Sequence, residues 1–261
     1  MRELDVMQTA IMEAAKIVGS GDREAKTKAN PHGVFDVVTE SDVSAENVII
    51  DRIRSEFPED TIISEETNPD ARISGRSWAI DPIDGTMNFS RGIPLYGIQA
   101  VFLEGGVPKA ASIYLPEFGE MFSASEDGAF LNGKPIAVAS ARPLSQCLIS
   151  TGDYSRKSDA FRKAQAAVLS ECYGSVARFK MFGAACVDFS YLASGRTDAH
   201  IRFTNKIWDF LPGLFIAEKA GAVYDRHLLD DHRILIMCSS PEVLAEAKAE
   251  ILPAILSAMG L

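Results

Sequence analysis

Long apolar runs, paired cysteines and concentrated positive charge are all missing from this 261-residue chain. No apolar stretch approaches the ~20 residues that a membrane-spanning helix needs. Glu3, Asp5 and Glu13 interrupt the opening apolar pattern, which a secretory signal would not allow. The four cysteines, at 147, 172, 186 and 238, form no CxxC pair and have no histidine cluster beside them, which argues against a zinc site or a redox dithiol. A chain of this length needs no covalent staples, so reduced thiols and a cytoplasmic location are expected. Basic residues number 26 against 36 acidic ones, a formal charge of −10, and they are scattered, the densest group being Arg23, Lys26 and Lys28. Polyanions and anionic membranes are held by clustered Lys and Arg, so no nucleic-acid or membrane partner is expected. What remains, at 47% hydrophobic residues, is a globular protein able to bury a large core.

Leu4, Met7, Ile11, Ala15 and Val18 recur at helical spacing with Gly19 as a stop. Residues 21–33 read as a polar loop. A second helix is predicted from about Asp42 to Phe57, ended by Pro58. Thr61–Ser64 and Trp78–Asp81 read as short strands with acidic ends. Strands then alternate with tight turns between Gly97 and Ile136, with a hairpin at Glu104-Gly105-Gly106. Beyond Pro143 strands and helices alternate, and Ser240-Pro241 opens a closing helix. These elements predict a mixed α and β layered fold, α+β in class. It is read as a single domain over 1–261, softly divided into a 1–140 half with the acidic motif and a 141–261 half.

The most informative segment is Trp78-Ala79-Ile80-Asp81-Pro82-Ile83-Asp84-Gly85-Thr86-Met87-Asn88-Phe89. A strand ends on one carboxylate, proline turns the chain, a second carboxylate follows, and glycine and threonine can open a helix. Converging carboxylates repel and raise a pKa, and a hard divalent cation removes that problem. The backbone N–H groups of Gly85 and Thr86 can receive a phosphate. Cation and phosphate together point to phosphate ester chemistry.

That run resembles the WxIDPIDGTxNF signature of the inositol monophosphatase family. Other elements occur in the same order: Asp36-Val37-Val38-Thr39-Glu40-Ser41-Asp42 with Glu46 after it, Ile63-Ser64-Glu65-Glu66, Gly128-Ala129-Phe130-Leu131-Asn132-Gly133, and Trp208-Asp209 followed by Glu218, Ala220 and Gly221. The resemblance spans about residues 36 to 225. It implies a layered α-β-α-β-α sandwich and a homodimer. It also implies two or three Mg²⁺ per site, with Mn²⁺ as a possible substitute. Glu65, Asp81 and the Ile83 carbonyl resemble the ligands of one ion, and Asp81, Asp84 and Asp209 those of a second. Thr86 and Asp42 resemble the pair that orients and deprotonates the attacking water, so Thr86, Asp42 and Glu65 are the expected catalytic residues. Asp84, Gly85, Thr86, Ala185, Arg202 and Asp209 are the expected substrate contacts, Ala185 through its backbone N–H.

The activity so implied is phosphomonoester hydrolysis of a small polyol phosphate, inositol monophosphate first. Fructose 1,6-bisphosphate, histidinol phosphate and 3′-phosphoadenosine 5′-phosphate are alternative substrates for the same scaffold. A non-catalytic regulatory protein is the reading from a different class, and the intact carboxylate set argues against it. Arg202 is the notable departure. Counted back from Trp208-Asp209, it stands where inositol monophosphatases usually carry a glutamate that contacts ring hydroxyls. A guanidinium cannot accept those protons but can pair with a second anion. The plainer alternative is a solvated strand residue, or one paired with Asp198 or Asp225. Trp208 and the Val187, Tyr191, Leu192 stripe read as core, and His32, His200, His227 and His232 as surface or packing residues.

Overall fold

The computed structural model describes all residues except 22, 29–36, 153–157 and 205. Asp36, His32 and six of the thirteen residues of the expected polar loop (22 and 29–33) therefore lie outside the described residues. Helices α1 (Arg2–Ser20) and α2 (Glu40–Glu56) pack side by side through Met7, Ile11, Ala14 and Val18 on one and Ala45, Ile49 and Ile53 on the other. Gly19 does not stop α1. The glycine is exposed within the last turn, where it costs only its propensity, about 1 kcal/mol, and the chain leaves the helix at Gly21. The expected loop also holds a two-residue strand, β1 (Lys26–Thr27), antiparallel to β2 (Val37–Val38).

A seven-stranded sheet follows in sequence order: β3 (Thr61–Ser64), β4 (Arg76–Asp84), β5 (Gly97–Glu104), β6 (Val107–Leu115), β7 (Glu120–Ser125), β8 (Gly128–Leu131) and β9 (Lys134–Pro135). Only the β3–β4 pair is parallel. The short helix α3 (Thr86–Ser90) leaves the end of β4. The predicted end of that strand at Asp81 is corrected: β4 runs on through Pro82 to Asp84, with a register shift against β5 between Asp81 and Asp84. Its parallel partner β3 pairs no further than Ile80. Pro82 therefore breaks no ladder by lacking an N–H.

The second sheet is built from β10 (Leu148–Thr151), β11 (Arg178–Met181), β12 (Ala199–Phe203), β13 (Val223–Tyr224) and β14 (Ile234–Cys238), in the order β11-β10-β12-β14-β13. Between and after its strands come α4 (Asp159–Cys172), α5 (Ala185–Ala193), α6 (Ile207–Lys219), α7 (Arg226–His232), α8 (Pro241–Glu250) and α9 (Leu252–Met259). The predicted single closing helix is two, because Pro253 sits in the first turn of α9. The seven-residue α7 was not foreseen.

The layers follow from which face each strand residue buries. Trp78, Ile80, Ile98 and Phe102 pack on α1 and α2, while Ala79, Val101, Leu103, Ile113 and Phe122 face α5 and α6. Beneath those two helices lie Leu235 and Met237 of the second sheet, whose other face, Ile149, Ile201 and Ile236, is covered by α4, α8 and α9. The architecture is the expected α-β-α-β-α sandwich. Helices α5 and α6 are apolar nearly all round because both sheets cover them. They also approach closely: a Cβ on Gly213 would fall 2.4 Å from Phe189. By alternation along the strands, Asp81 and Arg202 both face this central helical layer. Among the described residues no helix is long and apolar enough to cross a membrane.

Candidate active site

Each acidic residue of the site is delivered by a different device. Asp42 is the third residue of α2, and Thr39-x-x-Asp42 forms a reciprocal capping box. One carboxylate oxygen, Oδ2, accepts from Thr39 N at 2.7 Å and Thr39 Oγ1 at 2.6 Å. The other oxygen, Oδ1, accepts from Thr86 Oγ1 at 3.2 Å. The Thr86 hydroxyl also points at the Ile83 carbonyl, 2.9 Å away. A hydroxyl has one hydrogen, so the two acceptors compete for it. Burial raises the Asp42 carboxyl above its ordinary pKa, against the lowering effect of the Thr39 bonds.

Glu65 sits in the turn after β3, and the buried Glu46 of α2 holds that turn. Glu46 Oε1 accepts from Ser64 Oγ, Thr67 N and Thr67 Oγ1, and its Oε2 from Glu66 N at 2.9 Å. Sequence reasoning noticed Glu46 without a role. The structure makes it the brace of the Glu65 turn.

Asp81 is buried at the strand bulge. Burial first, then Glu65, Asp84, Asp209 and Asp42, pushes its carboxyl well above the usual range. Asp84 Oδ2 accepts from Cys186 N at the first turn of α5, a favourable place for a carboxylate. Burial still raises its pKa, with Cys186 and Arg202 opposing. Gly85 has a left-handed φ of +89°, and a Cβ there would lie 2.8 Å from Ala184 Cβ and 3.0 Å from the Leu95 carbonyl. Only glycine permits that conformation beside α5. It brings Ala185, the first residue of α5, next to the Gly85-Thr86 turn.

Asp209 enters from the first turn of α6. Its carboxyl is raised to about 7 by burial, with Arg202 lowering it and Glu65 and Asp84 raising it. Oxygens of Glu65, Asp81 and Asp209 lie within 4.8 Å of one another. An all-carboxylate donor set, in which burial raises Asp81 and Asp209, fits a hard divalent cation. The structure thus brings together Glu65, Asp81 and Asp209, links Asp84 to them electrostatically, and places Thr86, Asp42 and Ile83 in one hydrogen-bonded group.

Among the described residues three cations reach this cluster. Lys28 Nζ lies 3.1 Å from Glu65 and 2.6 Å from Glu66. Lys206 Nζ lies 3.3 Å from Glu65 and over the Trp208 ring. Arg202 Nη2 lies 3.4 Å from Asp209 Oδ2. This corrects the expected alternative partners of Arg202: Asp198 is taken by Arg142 and Asp225 by Lys248. Burial would lower the Lys28 ammonium, but Glu65 and Glu66 outweigh it and hold it above the ordinary lysine value. Lys28 and Lys206 carried no sequence signal, since only the fold brings them to Glu65. Glu66, buried beside Lys28, is raised to about 7 by that burial.

His200 and Trp208 are buried packing residues, as expected. His200 Nδ1 meets Ser150 Oγ at 2.9 Å, and burial depresses its pKa to about 3. A groove of about 810 Å³ lies elsewhere on α6, floored by Phe210, Leu211, Leu214 and Phe215. None of the carboxylates above lines it.

Residues 3–256 match the inositol monophosphatase family. The chain is 34% identical over 192 residues to a Thermotoga maritima protein described as fructose-1,6-bisphosphatase/inositol-1-monophosphatase, covering 73% of this chain and 72% of that one. It is 30% identical over 223 residues to the Nus factor SuhB of Escherichia coli K12, covering 84% and 83%. Among solved structures, an IMPase from Thermotoga maritima superposes with a TM-score of 0.85 at 26% identity, covering 100% of this chain and 99% of that one. A match that runs nearly the whole length, on a chain whose carboxylates converge from both halves, places this protein in the inositol monophosphatase family.

Proposed function

We propose that this phosphatase hydrolyses a small polyol phosphate, with inositol monophosphate the first candidate, using Mg²⁺ and direct attack by water. The observation that carries the reading is the convergence of Glu65, Asp81 and Asp209 oxygens within 4.8 Å beside the Thr86–Asp42 pair. The cations are assigned to Glu65, Asp81, Asp84, Asp209 and the Ile83 carbonyl. When bound they supply charge that activates water and offsets the charge developing on the phosphoryl oxygens.

The chain's own groups do the rest. Were the Ile83 carbonyl engaged by a cation, Asp42 would be the remaining acceptor for the Thr86 hydrogen. The hydroxyl's lone pair then faces the attacking water, and the proton has a path through Thr86 Oγ1 to Asp42 Oδ1. Threonine alone is a poor base, so the buried carboxylate with its raised pKa is the group suited to hold that proton. Backbone N–H groups at Gly85 and Thr86 orient the phosphate, and that of Ala185 a substrate hydroxyl.

Fructose bisphosphate, histidinol phosphate and the adenosine bisphosphate are the alternatives. The name Nus factor belongs to the relatives that carry it. A purely regulatory role here is disfavoured because a binding protein has no use for mutually repelling buried carboxylates. Phosphate release measured across these four substrates with and without Mg²⁺ is the test. No release from any, with the metal bound, sinks the reading. The resemblance also implies a homodimer, which light scattering checks.

A further inference from the structure

We propose that Gln99 is a positioning residue of the cation site: its buried amide ties the first turn of α6, which carries Asp209, to β5 beside Asp81. The proposal rests on the assignment of cations to Asp81 and Asp209. Gln99 is fully buried and is the register partner of Asp81 across the β4–β5 pair, the last one before the register shift. Directly opposed residues of an antiparallel pair share a face of the sheet, so both side chains rise into the central helical layer. There Gln99 Nε2 donates to the Asp209 carbonyl at 3.5 Å, and Oε1 is buried with no partner among the described residues. A primary amide offers two donor hydrogens and two acceptor lone pairs, so one of its positions is filled, and that one by a long contact. Leaving an amide so short of partners in a core is costly. The unmet acceptor suits a site that brings donors, and a hydrated divalent cation held by the neighbouring carboxylates does so.

The start of α6 is weakly fixed by its own backbone. Its N-cap is Lys206, whose side chain makes no capping bond, so the usual side-chain acceptor for the first free N–H groups is missing. Pro212 lies inside the helix and lacks the N–H that would bond the Trp208 carbonyl one turn earlier, which opens the ladder beside Asp209. Asp209 N makes a tight turn back to the Lys206 carbonyl, at 3.2 Å. Apolar packing of α6 on β4 and β5 is non-directional, whereas an amide contact fixes one point along the helix axis. Asp81 comes from the sheet and Asp209 from the helix, and their oxygens lie within 4.8 Å of each other and of Glu65. A shift of this one turn changes that spacing, and Gln99 is placed to prevent it.

The test uses Gln99→Met, which keeps the length of the side chain and removes both ends of the amide. Calorimetry should show Mg²⁺ affinity weakened roughly 10- to 100-fold. The Mg²⁺ concentration for half-maximal phosphate release should rise with it, while kcat at saturating Mg²⁺ stays within about threefold of wild type. The Tm of the metal-free protein should hold or rise, since a buried amide short of partners has been removed. Pro212→Ala restores the missing ladder bond and, combined with Gln99→Met, should recover part of the lost affinity. Hydrogen exchange in the metal-free Gln99→Met protein should show the Leu211 and Gly213 amides opening about fivefold more often. Gln99→Asn, an amide one methylene too short to reach Asp209, should lose affinity in the same way and carries the test if Gln99→Met does not fold. Mg²⁺ affinity within about twofold of wild type overturns the proposal. So does an affinity loss that is matched by a fall in metal-free Tm and left unrescued by Pro212→Ala, which would make Gln99 a plain core residue. Should the protein release phosphate from no ester, the phosphatase reading fails, and the affinity and exchange comparisons still decide the role of Gln99.

Discussion

Thr86 Oγ1 stands between two acceptors, 3.2 Å from Asp42 Oδ1 and 2.9 Å from the Ile83 carbonyl. The Asp42 carboxylate cannot turn away, because Thr39 holds its other oxygen twice. Thr86→Ala should therefore leave Mg²⁺ affinity nearly intact by calorimetry while lowering kcat by about 10²–10⁴-fold, and Thr86→Ser should recover most of it. A raised KM at unchanged kcat would make the threonine a binding residue instead.

Removing a buried charge should stabilise the protein and silence it. In the metal-free state Asp81 is held against its own desolvation and four neighbouring carboxylates. Asp81→Asn is expected to raise metal-free stability, because it removes a desolvated charge beside four others, and to abolish turnover and most Mg²⁺ binding. Thermal melts in EDTA check the first effect. A lower Tm there would show the cluster is not strained.

The pH dependence has a defined sign. Asp209 and Glu66 are raised to about 7 in the folded chain, against about 4 for unfolded carboxyls. Between those values the native state binds more protons, so stability falls as pH rises. From pH 6.5 to 8 the metal-free Tm should decline, and Mg²⁺ should stabilise more at pH 8 than at pH 6.5. His200 acts oppositely, since its depressed pKa costs stability only below the unfolded value of about 6.5. A flat metal-free profile over this window would contradict the assignment.

Glu46→Ala would leave Ser64 Oγ, Thr67 Oγ1 and the Glu66 and Thr67 amides without their acceptor. The expected cost is roughly 3–5 kcal/mol of stability. Glu46→Gln should fold better and still lose about 10- to 100-fold in Mg²⁺ affinity, through misplacement of Glu65. Unchanged affinity in the glutamine variant would remove Glu46 from the site's supports.

Gly85→Ala tests the backbone. The change adds strain at a φ of +89° and a 2.8 Å contact with Ala184, so it should cost about 1–3 kcal/mol and lower kcat/KM. Activity within twofold of wild type would mean that α5 can retreat without consequence.

The acidic Trp78–Phe89 run was legible because its carboxylates, glycine and helix start occupy twelve consecutive positions, although the bulge after Asp81 was not. The Thr39–Asp42 capping box was missed, although it is local, because the helix was expected from about Asp42 and not from Glu40. The partners of Arg202, Lys28 and Lys206 were not legible, because each depends on how distant elements pack. Periodicity located α1 and α2 by their buried stripes but misjudged the end of α1, where exposed Gly19 carries little energetic weight. The strand end at Asp81 was misread because Pro82 usually stops a ladder, and here the neighbouring strand β3 had already ended.

The proposed ligand set would also order events during synthesis. Glu65, Asp81 and Asp84 are made in the first third of the chain, and Asp209 arrives on α6 much later, on the order of ten seconds at typical elongation rates. Until then the early carboxylates lack the fourth member that closes the cluster. With that set, a growing chain could not hold an ion as the finished one would. Strong ion retention would then mark a polypeptide translated past Asp209, with α6 docked against β4 and β5.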